Sequence, residues 1–259
     1  MTDVSFWILL ALILASLLAG WVDAVVGGGG LIQLPALLLL LPGAAPVHLL
    51  ATNKMASICG TTTSALTYAK HIRPDPRTAI PLALAAFAGS AGGAVVASFI
   101  SKELFTPIVL VVLVVVGAWT LLKPSMGQVQ KMRFSGRTHV GAAGVIGAVI
   151  GFYDGALGPG TGSFLVVGLV AICGYAFVEA SGLSKIANVA TNLAALAVFI
   201  PQGAVMWKIA LAMGAANILG GYLGARSAVR LGPAFVRIVL LVVVGAFIVR
   251  LAGQVLHLW

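Results

Sequence analysis

The feature that most constrains this chain is a motif that occurs twice. Gly20-Trp21-Val22-Asp23-Ala24-Val25-Val26-Gly27-Gly28-Gly29-Gly30 returns 131 positions later as Gly151-Phe152-Tyr153-Asp154-Gly155-Ala156-Leu157-Gly158-Pro159-Gly160-Thr161. The same ungapped offset pairs Leu34 with Leu165, Lys54 with Lys185, Ala56 with Ala187, Gly89 with Gly220, Gly93 with Gly224 and Ala94 with Ala225. The chain therefore reads as a duplicated unit. Each copy carries one acid, one lysine and a glycine-broken apolar stretch, which places the expected site where the copies meet.

The spacing between these landmarks is filled with apolar residues. With 61% hydrophobic and 8% charged residues and a mean hydropathy of +1.12, the sequence lies far from the roughly 25% charged content of soluble domains. It reads as a polytopic, all-α membrane protein that spends its 259 residues on spans of about 20 residues each. The net charge of +9 comes mostly from short loops between apolar runs, which points to the positive-inside rule and away from nucleic acid. Cys59 and Cys173 have no CxxC or Cys/His neighbour and read as small apolar-segment residues. The run from Val4 to Val26 follows Asp3 and exceeds a usual signal core, and its end recurs at Gly151 to Asp154, so it is expected to be retained.

Five apolar segments are expected in each half. The first half (1-122) gives Val4 to Val26, Leu31 to Leu41, Val47 to Ala69, Ala79 to Ile100 and Leu104 to Leu122. After a polar linker (123-138) the second half (139-259) gives Val140 to Leu157, Ser163 to Cys173, Phe177 to Ile200, Ile209 to Val229 and Phe235 to Leu256. Leu31 to Leu41 makes about 17 Å of helix, half a hydrocarbon core. The first two segments of each half are thus a discontinuous pair that either re-enters or makes two short spans. In both cases each half crosses an odd number of times, and the copies are inverted. Lys70, Arg73, Arg77, Lys123, Lys131, Arg133, Arg137, Arg226, Arg230 and Arg237 then share one side, against Lys102, Lys208 and Arg250 on the other. That asymmetry puts the linker in the cytoplasm and both termini outside.

Within the apolar segments Asp23, Lys54, Asp154 and Lys185 are the costly residues, at about 2.5 to 3.5 kcal/mol each on insertion scales, and such residues mark function. The structural alternative is that the lysines snorkel to an interface and the aspartates cap the breaks. Recurrence favours function, as do their neighbours. Asn53, Lys54, Ser57, Thr61, Ser64 and Tyr68 fall on one helical face, and Ser184, Lys185, Asn188, Thr191 and Asn192 do the same in the second copy. The breaks at Gly27 to Gly30 and at Gly158 to Gly162 let short helices begin near Leu31 and Ser163 with free N–H groups and a positive dipole end, an anion site. No Gly-Lys-Ser/Thr follows either break, which weakens a nucleotide loop. Gly89 and Gly93, Gly147 and Gly151, and Gly220 and Gly224 are read as helix-packing positions.

Two inverted halves with broken helices and ionisable residues at the breaks describe a secondary transporter with its site near the midplane. Paired lysines favour a small anionic substrate bound by Lys54, Lys185, Asn53, Ser57, Thr61, Ser184 and Asn188 with the backbone of Gly28, Gly29, Gly30, Gly160, Thr161 and Gly162. Asp23 and Asp154 are read as proton-coupling carboxylates. No catalytic residue, metal ligand or cofactor is expected. The rivals are a cation transporter using Asp23 and Asp154, which lacks soft ligands nearby, an intramembrane enzyme, and a scaffold. The enzyme reading is weakened because His48, His71, His139 and His257 all sit at span ends or in loops, where solvated surface residues are the default, and no HExxH is present. The oligomeric state is not set by the sequence.

The motif Gly-x-x-Asp-Ala-Val-Val-Gly-Gly-Gly-Gly-Leu-Ile-x-x-Pro with its later Ala-Thr-Asn-Lys, and Gly-Phe-Tyr-Asp-Gly-x-x-Gly-Pro-Gly-Thr-Gly-Ser with its later Ser-Lys-x-x-Asn, resemble the TauE/SafE family of prokaryotic membrane proteins. The resemblance covers nearly the whole chain and rests on Asp23, Gly27 to Gly30, Asn53, Lys54, Asp154, Gly158 to Gly162, Ser184, Lys185 and Asn188. It implies transport of small sulfur-containing anions such as sulfite, sulfoacetate or other organosulfonates, usually as export across the inner membrane.

Overall fold

The computed structural model describes residues 5–97 and 129–255, which are helical apart from short connections. The expected segment Leu104 to Leu122, the first part of the linker (123–128), and His257 lie outside the described residues.

The first half contributes α1 (Phe6–Val26), α2 (Gly30–Leu40), α3 (Pro46–Ile72) and α4 (Pro76–Ala97). Each boundary has a local cause. Gly27 adopts φ 80 and returns its N–H to Asp23 O, so α1 stops in a left-handed cap. Pro46 opens α3 at its first turn, and Lys70 and His71 occupy its last turn, where cations suit the dipole. Asp75 accepts from the Arg77 backbone N–H at 3.0 Å and starts α4.

The second half repeats the plan with α5 (Gly136–Ala156), α6 (Thr161–Gly168, extended by a π-turn, Leu169–Cys173), α7 (Phe177–Phe199) and α8 (Trp207–Val255). The starts of α2, α3 and α4 recur at α6, α7 and α8 with the sequence offset intact. The two last segments expected from sequence, Ile209 to Val229 and Phe235 to Leu256, correspond to the two arms of α8. The helix is interrupted only at Gly232, with φ 79 and ψ −172, ahead of Pro233.

Packing repeats as well. In the middle of the molecule α3 lies against α7, α4 packs on α5 and α7, and α8 packs on α1 and α3. The small-residue positions explain how closely the outer pairs approach. Gly89 and Gly93 of α4 sit against the carbonyls of Ala148 and Phe152 in α5, and Gly220 and Gly224 of α8 sit against those of Leu17 and Trp21 in α1. A methyl group at any of these four would collide with backbone.

The surface is inverted relative to a soluble protein. Leu14, Leu18, Leu84, Val145, Val149, Leu211 and Val242 are exposed, while Ser16, Gln33, Thr52, Asn53, Lys54, Asp154, Lys185 and Asn217 are buried. An apolar exterior around a polar interior is what a bilayer demands. Among the described residues α1, α4, α5 and α7 are long and apolar enough to cross it. Helix α2, at 11 residues, covers about half that distance.

Candidate functional site

The two breaks meet inside the bundle. Gly27 lies directly against Gly162, which leaves no room for a Cβ on either. The contact is pinned by Ser163 N–H donating to Gly27 O at 3.2 Å and Ser163 Oγ donating to Val26 O at 2.8 Å. Ser184 Oγ donates to Gly162 O at 3.1 Å from α7.

On either side of this crossing stand two ion pairs, each joining one half to the other. Lys54 Nζ of α3 donates to Asp154 Oδ2 of α5 at 2.6 Å, and Lys185 Nζ of α7 donates to Asp23 Oδ2 of α1 at 2.8 Å and to Asp23 O at 2.6 Å. The offset that maps Lys54 onto Lys185 maps Asp154 onto Asp23, so the second pair is the first with its halves exchanged. Neither lysine snorkels. A buried charge left unpaired costs several kcal/mol, and the reciprocal carboxylates remove that penalty.

The pairs are not chemically equal. Thr161 Oγ1 lies 2.7 Å from Asp154 Oδ1 and 2.8 Å from Gly158 O and shares its proton between them. The corresponding residue in the first half is Gly30, which has no hydroxyl. Side-chain exposure follows: 5% for both Lys54 and Asp154, but 15% for Asp23 beside a fully buried Lys185. Asp23 is the more loosely held carboxylate.

Between the pairs is a cavity of about 30 Å³, lined among others by Asp23, Gly27, Gly30, Asn53, Lys54, Ser57, Thr61 and Asp154, and from the second half by Gly158, Gly160, Thr161, Gly162, Asn188 and Asn192. That volume holds about one water. Asn53 Oδ1 and Asn188 Oδ1 are buried there without a hydrogen-bond partner among the described residues. Of the sequence-derived candidates, Gly28 faces Val243 and Ser163, and Gly29 packs on Ala19 and Asp23. With Ser184 they lie behind the cavity wall. Ser64 and Tyr68 bond the carbonyls of Gly221 and Ala24 and serve packing between helices.

The short-helix N–H groups are largely occupied. Leu31 and Ile32 bond back to Gly28 and Gly29, Phe164 to Gly160, and Ser163 to Gly27. The donors that remain at the breaks are chiefly the lysine ammonium groups and the N–H groups at the very start of α2 and α6.

The family comparison settles the broader identity, with a match to the sulfite exporter TauE/SafE model over residues 12–251. The chain belongs to the sulfite exporter TauE/SafE family. It is 34% identical over 257 residues to a probable membrane transporter protein, ORF9, of Sinorhizobium sp, covering 99% of this chain and 97% of that protein. It is 31% identical over 234 residues to the probable membrane transporter protein YfcA of Escherichia coli K12, covering 90% and 85%. A probable membrane transporter protein of Haemophilus influenzae is 31% identical over 236 residues, covering 91% of each chain. No solved structure matches. Family, relatives and apolar helices together make this a multi-pass membrane transporter with a small-molecule substrate.

For a TauE/SafE protein, sequence reasoning missed one polar network and misread one histidine. Ser57 Oγ, at the cavity, donates to Gln33 Oε1, Gln33 Nε2 donates to Ser16 Oγ, and Asn217 Nδ2 donates to Ser16 O. Gln33 and Asn217 are polar residues inside apolar runs, which was the available signal. His139, read as a solvated residue, is 7% exposed, with Nε2 at 2.8 Å from Tyr175 Oη. Its span-end position gave no sign that the linker folds over it.

Proposed function

We propose that this TauE/SafE protein is a secondary transporter that exports small sulfur-containing anions, sulfite or organosulfonates such as sulfoacetate, across the bacterial inner membrane, with Asp23 and Asp154 as coupling carboxylates. The halves, 1–122 and 139–259 around a cytoplasmic linker, are taken as inverted repeats with both termini outside. The observation that carries the reading is the exchanged pair of ion pairs, Lys54–Asp154 and Lys185–Asp23.

Two lysines and two aspartates make the site formally neutral when empty. A monoanion entering it must displace a carboxylate from its lysine, and the displaced, desolvated carboxylate is stabilised by taking a proton. Asp23 gives way first, since it has no counterpart to the Thr161 hydroxyl. The anion and proton then move together without net charge, and export runs down the anion's own outward gradient. The present cavity has room for about one water. Substrate entry requires the Gly27–Gly162 crossing to part, as broken helices allow.

A second reading has its own observation. Asn53 Oδ1 and Asn188 Oδ1 are buried acceptors without donors, and two such oxygens beside Asp23 and Asp154 suit a hard cation. The same amides present donors to an anion after a simple rotation of the side chain. Proteoliposomes loaded with labelled sulfite separate the two. Anion transport that needs a sodium gradient favours the cation reading, and transport that follows pH in sodium-free buffer favours ours.

A further inference from the structure

A second, larger cavity of about 350 Å³ lies at the linker end of the bundle, lined by residues that include Thr78, Ser135, His139, Tyr175 and Glu179. Three helices begin at its wall. Asp75 and Thr78 belong to the start of α4, Ser135 and Gly136 to the start of α5, and Tyr175 and Glu179 to the start of α7. Their first N–H groups face a wall that also carries the charged side chains of Arg73, Asp75 and Glu179, and Asp75 Oδ1 already accepts from the Arg77 N–H of α4. Ser135 is the N-cap of α5 yet its hydroxyl makes no cap hydrogen bond. The linker closes the chamber by pairing with the end of α6, Lys131 N–H to Gly174 O at 2.8 Å and Arg133 N–H to Cys173 O at 3.0 Å.

Two buried polar atoms on this wall have no partner among the described residues: His139 Nδ1, on a residue 7% exposed, and Glu179 Oε2. The Tyr175 phenol lies outside the spans, and burial pushes its pKa up, with a hydrogen bond from Thr78 acting the other way. It therefore keeps its proton, and its hydroxyl lies 2.8 Å from His139 Nε2. With the imidazole proton on Nδ1, the orphaned pair is one donor and one carboxylate acceptor.

The fold does not require this chamber. The repeat supplies its mate at the opposite end of the molecule, where Ile8 replaces His139, Ala44 replaces Tyr175, Met206 replaces Asp75 and Ile209 replaces Thr78. There the space is filled by an apolar cluster around Leu12, Leu34, Leu37 and Leu49. His48, which stands in place of Glu179, has its ring Nδ1 2.9 Å from Ala204 O. One architecture has produced a packed plug at one end and a polar chamber with unmet hydrogen bonds at the other.

We propose that the chamber binds a small oxyanion that still carries a proton, such as hydrogen sulfite, with its oxygens on His139 Nδ1–H, Ser135 Oγ–H and the α5 N-terminus and its hydroxyl donated to Glu179. A fully ionised sulfonate satisfies the donors but leaves Glu179 Oε2 unpaired and facing a negative charge, so the site discriminates by the hydroxyl. The chamber would be the cytoplasmic antechamber of the transport path, a role that rests on the transport reading, whereas the binding itself does not.

The test uses purified full-length protein in detergent with both Lys54→Ala and Asp154→Ala, which removes the central pair without orphaning either charge. Titration calorimetry with hydrogen sulfite in mildly acidic buffer is expected to show saturable binding, with methanesulfonate, of equal charge and no hydroxyl, binding at least about tenfold more weakly. Adding Glu179→Ala or, separately, Ser135→Ala is expected to weaken hydrogen sulfite by a similar factor with an unchanged unfolding midpoint. Equal binding of the two anions, binding indifferent to both substitutions, or no binding to the double variant overturns the proposal. Binding here without transport by the wild type sinks the transport reading alone, and transport without this binding sinks the chamber alone.

Discussion

Lys54 and Asp154 stand 100 positions apart and meet at 2.6 Å, and the repeat turns that single contact into a pair of clasps between halves. Removing one member strands its partner in the bundle. Lys54→Ala is expected to destabilise the protein by about 3 to 5 kcal/mol and abolish transport, whereas Lys54→Ala with Asp154→Ala recovers much of the stability and none of the transport. Thermal unfolding of the single and double variants checks this. Additive losses would show that the two side chains do not interact.

Among the described residues Lys185 is the one side chain that bonds Asp23, and in the proposed cycle a proton taken there frees the lysine for an anion. Acidifying the side from which substrate loads is therefore expected to accelerate transport by the wild type. Asp23→Asn, which cannot titrate, is expected to transport at a rate indifferent to the pH gradient. The comparison needs only initial rates in proteoliposomes at several internal pH values.

Thr161→Val removes the hydroxyl on Asp154 while keeping the volume, and makes the Lys54–Asp154 clasp resemble the Lys185–Asp23 clasp. A hydrogen bond to a charged group contributes about 1.5 to 3 kcal/mol, so the variant is expected to unfold earlier by that amount. Its transport is expected to respond to pH through Asp154 as well, leaving a residual response in Asp23→Asn with Thr161→Val that Asp23→Asn alone lacks.

Gly27 has φ 80, and any Cβ there runs into the backbone of Gly162. Gly27→Ala is expected to cost about 3 kcal/mol or more, from strain and from forcing the two breaks apart. Gly43→Ala, in a loop with open space around the position, is expected to stay within about 0.5 kcal/mol of wild type. Unfolding midpoints that failed to separate these variants would remove the Gly27–Gly162 crossing from the account.

The helices and breaks were legible because their causes are local: a glycine in the left-handed region, a proline at a first turn, an apolar run of span length. The site residues were legible as types for the same reason, since ionisable groups inside apolar runs are conspicuous. What the sequence did not disclose was partnership. The repeat aligns Lys54 with Lys185, whereas in space Lys54 meets Asp154, and an offset carries no information about which half faces which. His139 was misread because burial by the linker is a tertiary event, and the Gln33, Ser16 and Asn217 network joins residues that no helical spacing relates. The separation of the last two apolar segments was legible for the same local reason, since Gly232 leaves helical geometry ahead of Pro233 and divides α8 into two arms.

The central claim is that one anion site is built from both halves, and initial-rate transport of labelled sulfite in proteoliposomes tests it most directly. Wild type is run beside Lys54→Ala with Asp154→Ala and beside Lys185→Ala with Asp23→Ala. The account predicts saturable, pH-responsive sulfite transport that both double variants lose while remaining folded. Transport retained by either double variant would contradict it, because a site that survives without one clasp is not shared between the halves.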